Sequence, residues 1–397
     1  MDHAPPRPRT APLLLAVGLA HAGGVVAYLP LITLLLPMRV EALAHLAKID
    51  LLTAAVLAGG MAASLANIVF GWLSDVSVVR GGGRRRWVIA GLVALAASYP
   101  AMAFARTPVE LVGAVVLAQA AINAVLGPLF AIIAEEVPTQ RKGMAGGLLA
   151  LGNPVAAGFS VLLMGYAGLG ETVRFLLVPI AALALMLPLL ALKADPGRGD
   201  TAAAISWPRR DIVIASLARL LVQLACATLG LYLLYYFQTL RPGGRDTAAW
   251  VGSVLMLSYL LPLPAALIAG RWSDRLGTRK PFQCAAALVG AVGLAGMALA
   301  KTPWQGAAAF CLFSAGSAVF LSLNATFAMQ LLPRPDRRGR DLGLVNLANT
   351  LPAMIGTLLV WRLATPDDFT NVLLAFAAFT VAGALVILAV REDPAWP

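Results

Sequence analysis

Two basic side chains stand inside long apolar stretches of this sequence, where each could do chemistry. Arg219 is followed one helical turn later by Gln223, and His21 is followed two turns later by Tyr28. Polar groups are costly in hydrocarbon, so each predicts a binding site within a membrane. The imidazole of His21 could also carry a proton. The alternatives are that the Arg219 side chain extends back to the membrane surface and that His21 only packs between helices.

Uncharged polar side chains occur in several other apolar stretches. Together they predict a central cavity that hydrogen-bonds a solute bearing hydroxyl or amide groups, whereas each one alone could instead join two helices. The aromatic residue Tyr232, near the end of one apolar stretch, could stack on a sugar face or mark the membrane interface. With the four residues above, the predicted binding set is completed by Gln119, Asn123, Tyr232, Asn324, Asn346 and Asn349.

The composition places the chain in a bilayer. Of its 397 residues 60% are hydrophobic and 12% are charged, which excludes a soluble globular protein. Twelve apolar windows are long enough to cross a membrane, six before a polar segment at 193–211 and six after it. The sequence therefore predicts an all-α membrane protein of twelve transmembrane helices in two pseudo-symmetric six-helix bundles. Its domains would be 1–192 and 212–397, joined by a cytoplasmic linker at 193–211.

The formal net charge of +11 is explained by membrane topology. Lys and Arg crowd alternate loops, which places both termini in the cytoplasm and argues against a nucleic-acid partner. The sequence has no phosphate-binding Gly-Lys-Ser/Thr loop, no metal-ligand cluster and no nucleophilic triad. We therefore expect a multi-pass protein of the cell inner membrane that needs no cofactor or metal and is not an enzyme.

A motif between two apolar windows occurs twice. Gly-x-x-Ser-Asp followed by arginines runs from Gly71 to Asp75 and again from Gly270 to Asp274, about half of the 397-residue chain later. Such a repeat predicts two similar bundles fused in tandem, which is a transporter architecture. We expect each glycine to lie at a helix end and each aspartate to accept hydrogen bonds from the N-terminal amides of another helix. The alternative is that both loops only mark the cytoplasmic side.

A second repeated segment supplies the helix starts for this contact. Arg141 and Arg337 precede the fifth and eleventh windows at equivalent positions. We expect Asp75 to dock near Asp341, and Asp274 to dock near Arg141. We also expect the arginines of both motifs to pair with acids at nearby helix ends. The charged residues that would open and close the transporter in this way are called the gating set, and its members are Asp75, Arg80, Arg84, Glu135, Arg141, Asp274, Arg275, Arg279, Arg337 and Asp341.

The first loop resembles the motif of one transporter branch. That motif reads approximately Gly-x-x-Ser-Asp-Arg-x-x-x-Arg-x-Gly-Arg-Arg-Arg-Pro, and the matching residues are Gly71, Ser74, Asp75, Arg80, Gly83, Arg84, Arg85 and Arg86. A second motif of that branch is matched by Asn123, Gly127, Pro128, Ala131 and Ala134. The sequence thus resembles the major facilitator superfamily, and within it the sucrose-transporter-like and glycoside-pentoside-hexuronide symporters. Phe130 stands where the plant sucrose carriers have arginine, so the resemblance implies a different solute.

The resemblance implies a monomeric secondary transporter that moves a small polar organic solute, such as a sugar or glycoside, by alternating access. The expected partners are the solute, the lipid bilayer and protons. Because no Asp or Glu lies near the middle of an apolar window, His21 or the pair Glu135 and Glu136 would have to carry a coupled proton. Two alternatives stay open, namely an exporter of drugs or metabolites and a non-transporting factor for assembly or pigment delivery.

Overall fold

The computed structural model describes residues 10–44, 46–137, 145, 148–166, 168–192, 209–241, 246–276, 278, 280–328 and 338–390. Within these ranges the side chains at 10, 134, 209, 211–212, 267, 270, 274, 325–328 and 338–350 are not described. The described chain is helical almost throughout, as its apolar windows predict. In chain order its helices are α1 (Thr10–Pro30), a π-helical turn (Leu31–Leu35), α2 (Leu36–Leu43), α3 (Lys48–Val79), α4 (Arg85–Phe104), α5 (Pro108–Glu136), α6 (Gly152–Gly165), α7 (Glu171–Ala191), α8 (Arg209–Leu240), α9 (Thr247–Leu260), α10 (Pro262–Leu276), α11 (Lys280–Leu299), α12 (Pro303–Ala328), α13 (Arg338–Leu363) and α14 (Thr370–Leu388).

Eleven of the described helical segments are long and apolar enough to cross a membrane. A shorter apolar helix, Leu351–Leu363, falls in the eleventh predicted window, which α13 occupies. The structure thus confirms the predicted all-α membrane fold. The helical hydrogen bonding of one window is interrupted at Leu261, between α9 and α10, although Leu261 keeps α-helical dihedral angles of −58° and −39° and the window is one candidate span, Thr247–Ser273. Pro262 explains the interruption, because it lacks the amide hydrogen that a continuous helix needs there.

The first span is longer than its apolar window and changes its winding midway. Helical structure continues from Ala11 to Leu43, although three prolines lie within that range, Pro12 in the first turn and two further along. Pro30 ends α1 and Pro37 lies in the first turn of α2, where a missing amide hydrogen costs nothing. The π-helical turn Leu31–Leu35 lies between the two prolines, where such turns re-phase a helix.

The expectation that Gly71 and Gly270 lie at helix ends is wrong. Helix α3 continues to Val79 and α10 continues to Leu276, so both glycines lie inside helices. No Pro or second Gly interrupts α3 after Gly71, and its chain direction changes only at the three glycines 81–83. Gly81 has a positive φ of 77°, a conformation that costs other residues energy. The motif aspartate therefore stands on a helix rather than in a loop.

The chain separates into two compact units. Unit 1 comprises Met1–Leu31, Ala58–Ala202 and Pro333–Asn346, and unit 2 comprises Ile32–Leu57, Ala203–Leu332 and Leu347–Pro397. The predicted domain boundaries at 192 and 212 stay a prediction, and most of the predicted linker lies outside the described residues.

Each unit has its own packing. In unit 1, α1 packs against α5, α6 and α7, and α4 packs against α5 and α7. In unit 2, small residues let α8, α11, α12 and α14 approach one another around Phe320 and Ile387. One close approach involves Gly293 of α11, where an added Cβ atom would overlap the backbone nitrogen of Phe313 in α12. Only glycine fits there without moving a helix.

Candidate functional site

An ion-pair cluster around Arg84 joins three helices of unit 1. One guanidinium nitrogen, Nη1, lies 2.7 Å from Oδ1 of Asp75 and donates to Oγ of Ser74 at 2.6 Å. Nε and Nη2 bind the two oxygens of Glu135 at 2.9 and 2.6 Å, which is the bidentate geometry that favours arginine over lysine. The cluster fastens the end of α3 and the end of α5 to the residue that precedes α4.

The Arg84 side chain is only 7% exposed, so its charge depends on these partners. Burial by itself would lower the pKa of Arg84, but the hydrogen bonds and negative charges of Glu135 and Asp75 outweigh burial and raise the pKa above its ordinary value. Arg84 therefore remains a cation and holds both carboxylates. Beside it, Arg85 binds both oxygens of Glu136, at 2.6 and 2.9 Å.

Three residues of the predicted gating set, Asp75, Arg84 and Glu135, are thus in direct contact. Arg80 and Arg275 are exposed. Their gating role, like that of the whole set, stays a prediction. Arg141, Arg279 and Arg337 lie outside the described residues, and so do the side chains of Asp274, Asp341, Asn346 and Asn349. The expected docking of Asp75 and Asp274 on helix starts therefore also stays a prediction.

Two buried amides link α3 and α5 in unit 1. Nδ2 of Asn67 donates to Oδ1 of Asn123 at 3.0 Å, and Nδ2 of Asn123 donates to the Gln119 carbonyl oxygen at 2.9 Å. Asn67 and Asn123 are 4% and 6% exposed. In this conformation Asn123 joins helices, which is the alternative that its sequence left open, and Gln119 remains half-buried. Sequence analysis missed Asn67, because nothing local shows which amide faces Asn123.

Two predicted binding residues of α1, His21 and Tyr28, are half-buried in unit 1. The imidazole of His21 lies 5.7 Å from the ring of Phe130, measured between centroids. Its Nδ1 atom is buried and has no hydrogen-bond partner among the described residues. Tyr28 stands two turns further along the same helix.

The two predicted binding residues at the start of α8 are half-buried in unit 2. Arg219 and Gln223 follow one another at one-turn spacing, next to the face on which Ala215, Ala218 and Val222 enter the core. Within the described part of the chain no carboxylate forms an ion pair with Arg219. An unpaired guanidinium with a neighbouring amide could bind an oxygen-rich or anionic group.

Tyr232 and Asn324 make hydrogen bonds between helices in this conformation. The hydroxyl groups of Tyr232 and Thr53 are 3.1 Å apart, and Tyr232 is 2% exposed. Nδ2 of Asn324 donates to the Ala215 carbonyl oxygen at 3.4 Å, and Asn324 is 1% exposed. Their predicted contact with solute stays a prediction, and it would require both side chains to become accessible.

Sequence analysis missed a charged cluster in unit 2. Nε2 of Gln238 donates to Glu41 at 2.6 Å, and Nζ of Lys48 donates to the Gln238 oxygen at 3.3 Å and lies 3.6 Å from Glu41. Lys48 also lies 4.8 Å from the centre of the Tyr235 ring, whose hydroxyl donates to the Pro37 carbonyl at 2.9 Å. The sequence offered one sign of this cluster, since the acid Glu41 and the base Lys48 flank the short loop between α2 and α3. Among the described residues, no group of His, Cys, Asp or Glu could hold a metal.

Sequence comparisons point to one superfamily. Residues 212–397 match the family model described as Major Facilitator Superfamily. The multidrug resistance protein MdtH of Edwardsiella ictaluri is 32% identical over 170 residues, which are 42% of this chain and 41% of that protein. MdtH of Klebsiella pneumoniae is 32% identical over 168 residues, 41% of this chain and 40% of that protein. These alignments span about two fifths of the relatives' length.

Comparison of structures covers nearly the whole chain. The crystal structure of a D-xylose-proton symporter aligns with a TM-score of 0.72 and 16% identity, over 96% of this chain and 98% of that one. The crystal structure of the nucleoside transporter NupG aligns with a TM-score of 0.68 and 15% identity, over 96% of this chain and 99% of that one. The chain therefore has the fold of these transporters, and its residues 212–397 match the Major Facilitator Superfamily model.

Proposed function

We propose that this chain is a secondary transporter that moves a small polar organic solute, sugar- or glycoside-like, across the cell inner membrane by alternating access and together with protons. The observation that carries this proposal is the structural similarity, over 96% of the chain, to a D-xylose-proton symporter and a nucleoside transporter. Both termini are proposed to be cytoplasmic and the protein monomeric. The relation to the sucrose-transporter-like branch belongs to the same proposal and rests on the loop motif.

Arg219 and Gln223 are the proposed contacts of the solute in unit 2. A guanidinium inside the span Val213–Leu240 has to be neutralised or solvated, and the described chain offers it no carboxylate. A solute with several oxygen atoms supplies what Arg219 lacks. The amide of Gln223, one turn further into the membrane, offers both a donor and an acceptor to the same solute.

The cluster around Arg84 is proposed to hold the ends of α3 and α5 in unit 1 during the transport cycle. The side chains of Asp75 and Glu135 remain 30% and 27% exposed, although both bind Arg84. They can therefore exchange partners without first unfolding a helix.

A second candidate function is export of drugs, which the curated relatives favour. Both are named multidrug resistance protein MdtH, and at 32% identity they are more similar in sequence than either transporter of known structure. An exporter would use the same fold and the same cluster around Arg84, but it would move solutes outward and accept apolar cations.

Transport by the purified full chain in proteoliposomes tests these proposals. Three labelled probes are supplied with and without a pH gradient: D-xylose, uridine and the cationic dye ethidium. The matched pair of variants is Arg219→Gln, half-buried, and Arg210→Gln, exposed at the start of the same helix. We expect D-xylose or uridine to enter, and the rate to fall about tenfold in Arg219→Gln, which removes a charged hydrogen bond. Arg210→Gln should behave as the parent.

The remaining outcomes separate the candidates. Movement of ethidium alone, driven by the pH gradient, would support the exporter and contradict the sugar-like solute. Equal rates in the two variants would remove Arg219 from the binding site. No movement of any probe, with no thermal stabilisation by any of them, would contradict transport and favour the non-transporting membrane factor, since a bound ligand stabilises the folded protein by mass action.

A further inference from the structure

The space beside His21 is kept open by a missing side chain. A Cβ atom added at Gly152 of α6 would lie 2.8 Å from Nδ1 of His21 and 2.9 Å from Cγ2 of Val25. A carbon atom so close to the nitrogen would have to push the imidazole aside. Gly158, one and a half turns further along α6, has no heavy atom within 4 Å of such a Cβ. Close approach to α1 therefore distinguishes Gly152 from Gly158 and from Gly165, the other glycines of the same helix.

The surroundings of the imidazole indicate which nitrogen is free. Nδ1 is buried and has no hydrogen-bond partner among the described residues, so a hydrogen on it would be an unsatisfied buried donor. The neutral ring is therefore expected to carry its hydrogen on Nε2. A neutral imidazole with its hydrogen on Nε2 keeps a lone pair on Nδ1. This lone pair points at the space that Gly152 leaves open.

The packing around this lone pair is otherwise uncharged. The nearest described groups, Phe130 of α5 and Gly152 of α6, cannot ionise. Among the described residues of the helices packed against α1, Glu135 and Glu136 are bound by Arg84 and Arg85 at the end of α5. The other charged groups stand in the first turns of α5 and α7, and they are Glu110, Glu171 and Arg174. Tyr28 is the further titratable group on α1 itself. His21 is therefore the titratable group that lies midway along α1.

We propose that Nδ1 of His21 is the atom that accepts and releases the coupled proton, and that Gly152 is required because its missing side chain leaves room for that proton to reach Nδ1. The lone pair forms the new N–H bond, the ring becomes an imidazolium, and the same bond breaks when the proton leaves. The role of this step in transport rests on the proposed function, whereas protonation of Nδ1 can be tested independently of it.

The experiment measures directly which ring nitrogen of His21 carries a hydrogen. The chain has three histidines, so His3→Gln and His45→Gln leave His21 as the single imidazole. Nitrogen-15 NMR of this full-length protein in lipid nanodiscs follows both ring nitrogens during acidification. We expect the hydrogen to be on Nε2 at neutral pH, and Nδ1 to gain a hydrogen reversibly while the protein stays folded. Gly158→Ala should titrate as the parent, whereas Gly152→Ala should not acquire a proton on Nδ1 over the same pH range.

A transport readout distinguishes this proposal from the proposed function. With whichever probe moves best in proteoliposomes, uptake driven by a pH gradient should fall about tenfold in His21→Gln, in the range typical of coupling between two ligand sites. Exchange of labelled for unlabelled probe should persist. A hydrogen on Nδ1 at neutral pH, equal titration of Gly152→Ala and Gly158→Ala, or unchanged gradient-driven uptake in His21→Gln would each overturn the proposal. Failure of every probe to move would contradict transport, while the NMR titration would still decide whether Nδ1 takes a proton.

Discussion

Replacing Arg84 by alanine should destabilise unit 1 far more than any other change in the same loop. Arg84→Ala removes three hydrogen bonds to two carboxylates and takes the Arg84 cation away from Asp75 and Glu135. Breaking a fully buried ion pair costs about 3–5 kcal/mol, whereas exposed pairs contribute about 0–1 kcal/mol. The arginine is 7% exposed but the carboxylates are 30% and 27% exposed, so we expect a loss of about 2 kcal/mol.

Denaturant unfolding in detergent, followed by the fluorescence of the eight tryptophans, measures this loss. Arg86→Ala is the matched control, because Arg86 is exposed and lies two residues further on, in the first turn of α4. Arg84→Lys keeps the charge but not the bidentate geometry, so it should fall between the two. Adding Glu135→Gln to Arg84→Ala should recover part of the loss, since one unpaired carboxylate disappears. Equal stabilities of Arg84→Ala and Arg86→Ala would refute the assigned role of the cluster.

Two further changes probe other parts of the chain. Gly293→Ala should cost about 1–3 kcal/mol in the same unfolding assay, because the new Cβ would meet the backbone of Phe313. Gly113→Ala is the control and should cost nothing, because the space around Gly113 is open. Equal effects of the two substitutions would contradict the packing argument. The backbone amide of Thr370 donates to Asp368 at 2.8 Å and lowers the pKa of Asp368 below its usual range. The hydrogen bond therefore stabilises this turn above the ordinary carboxyl pKa of about 3.9, and its contribution is lost as the pH falls below that value. Hydrogen exchange in the turn, corrected for its intrinsic pH dependence, should rise on acidification in the parent but show no such step in Asp368→Asn.

The fold could be predicted from sequence because a bilayer imposes a one-dimensional rule. Each span needs an apolar run of sufficient length, and such runs can be counted without knowing any partner. The ends of the helices were harder to predict. Gly71 suggested a helix end, yet in a long apolar helix a single glycine costs only about 1 kcal/mol, and α3 continues through it to Val79. The true end required three glycines and a positive φ at Gly81.

The candidate site was predictable only where its members share a motif or adjoin a helix end. Asp75 and Arg84 could be grouped because the arginines follow the aspartate in one motif, and Glu135 could be added because it is an acid at a helix end. The cluster of Glu41, Lys48 and Gln238 could not, since Gln238 lies 197 residues from Glu41 and a glutamine at the end of an aromatic run carries no signal of its own. Contacts between residues so far apart in the chain depend on how the helices pack, and that packing cannot be read from the sequence.

The π-helical turn Leu31–Leu35 contains one residue more than regular α-helical winding would require. The wider turn absorbs this residue, so the later side chains of the span keep the direction that they would have without it. If the same five residues wound as a regular α-helix, every later side chain would rotate by about 100° around the axis, and Glu41 would turn away from Gln238 although neither of them had been altered. The winding of an uncharged apolar turn thus sets an acid–amide contact six residues downstream, and a variant shortened by one residue within the turn should keep that contact.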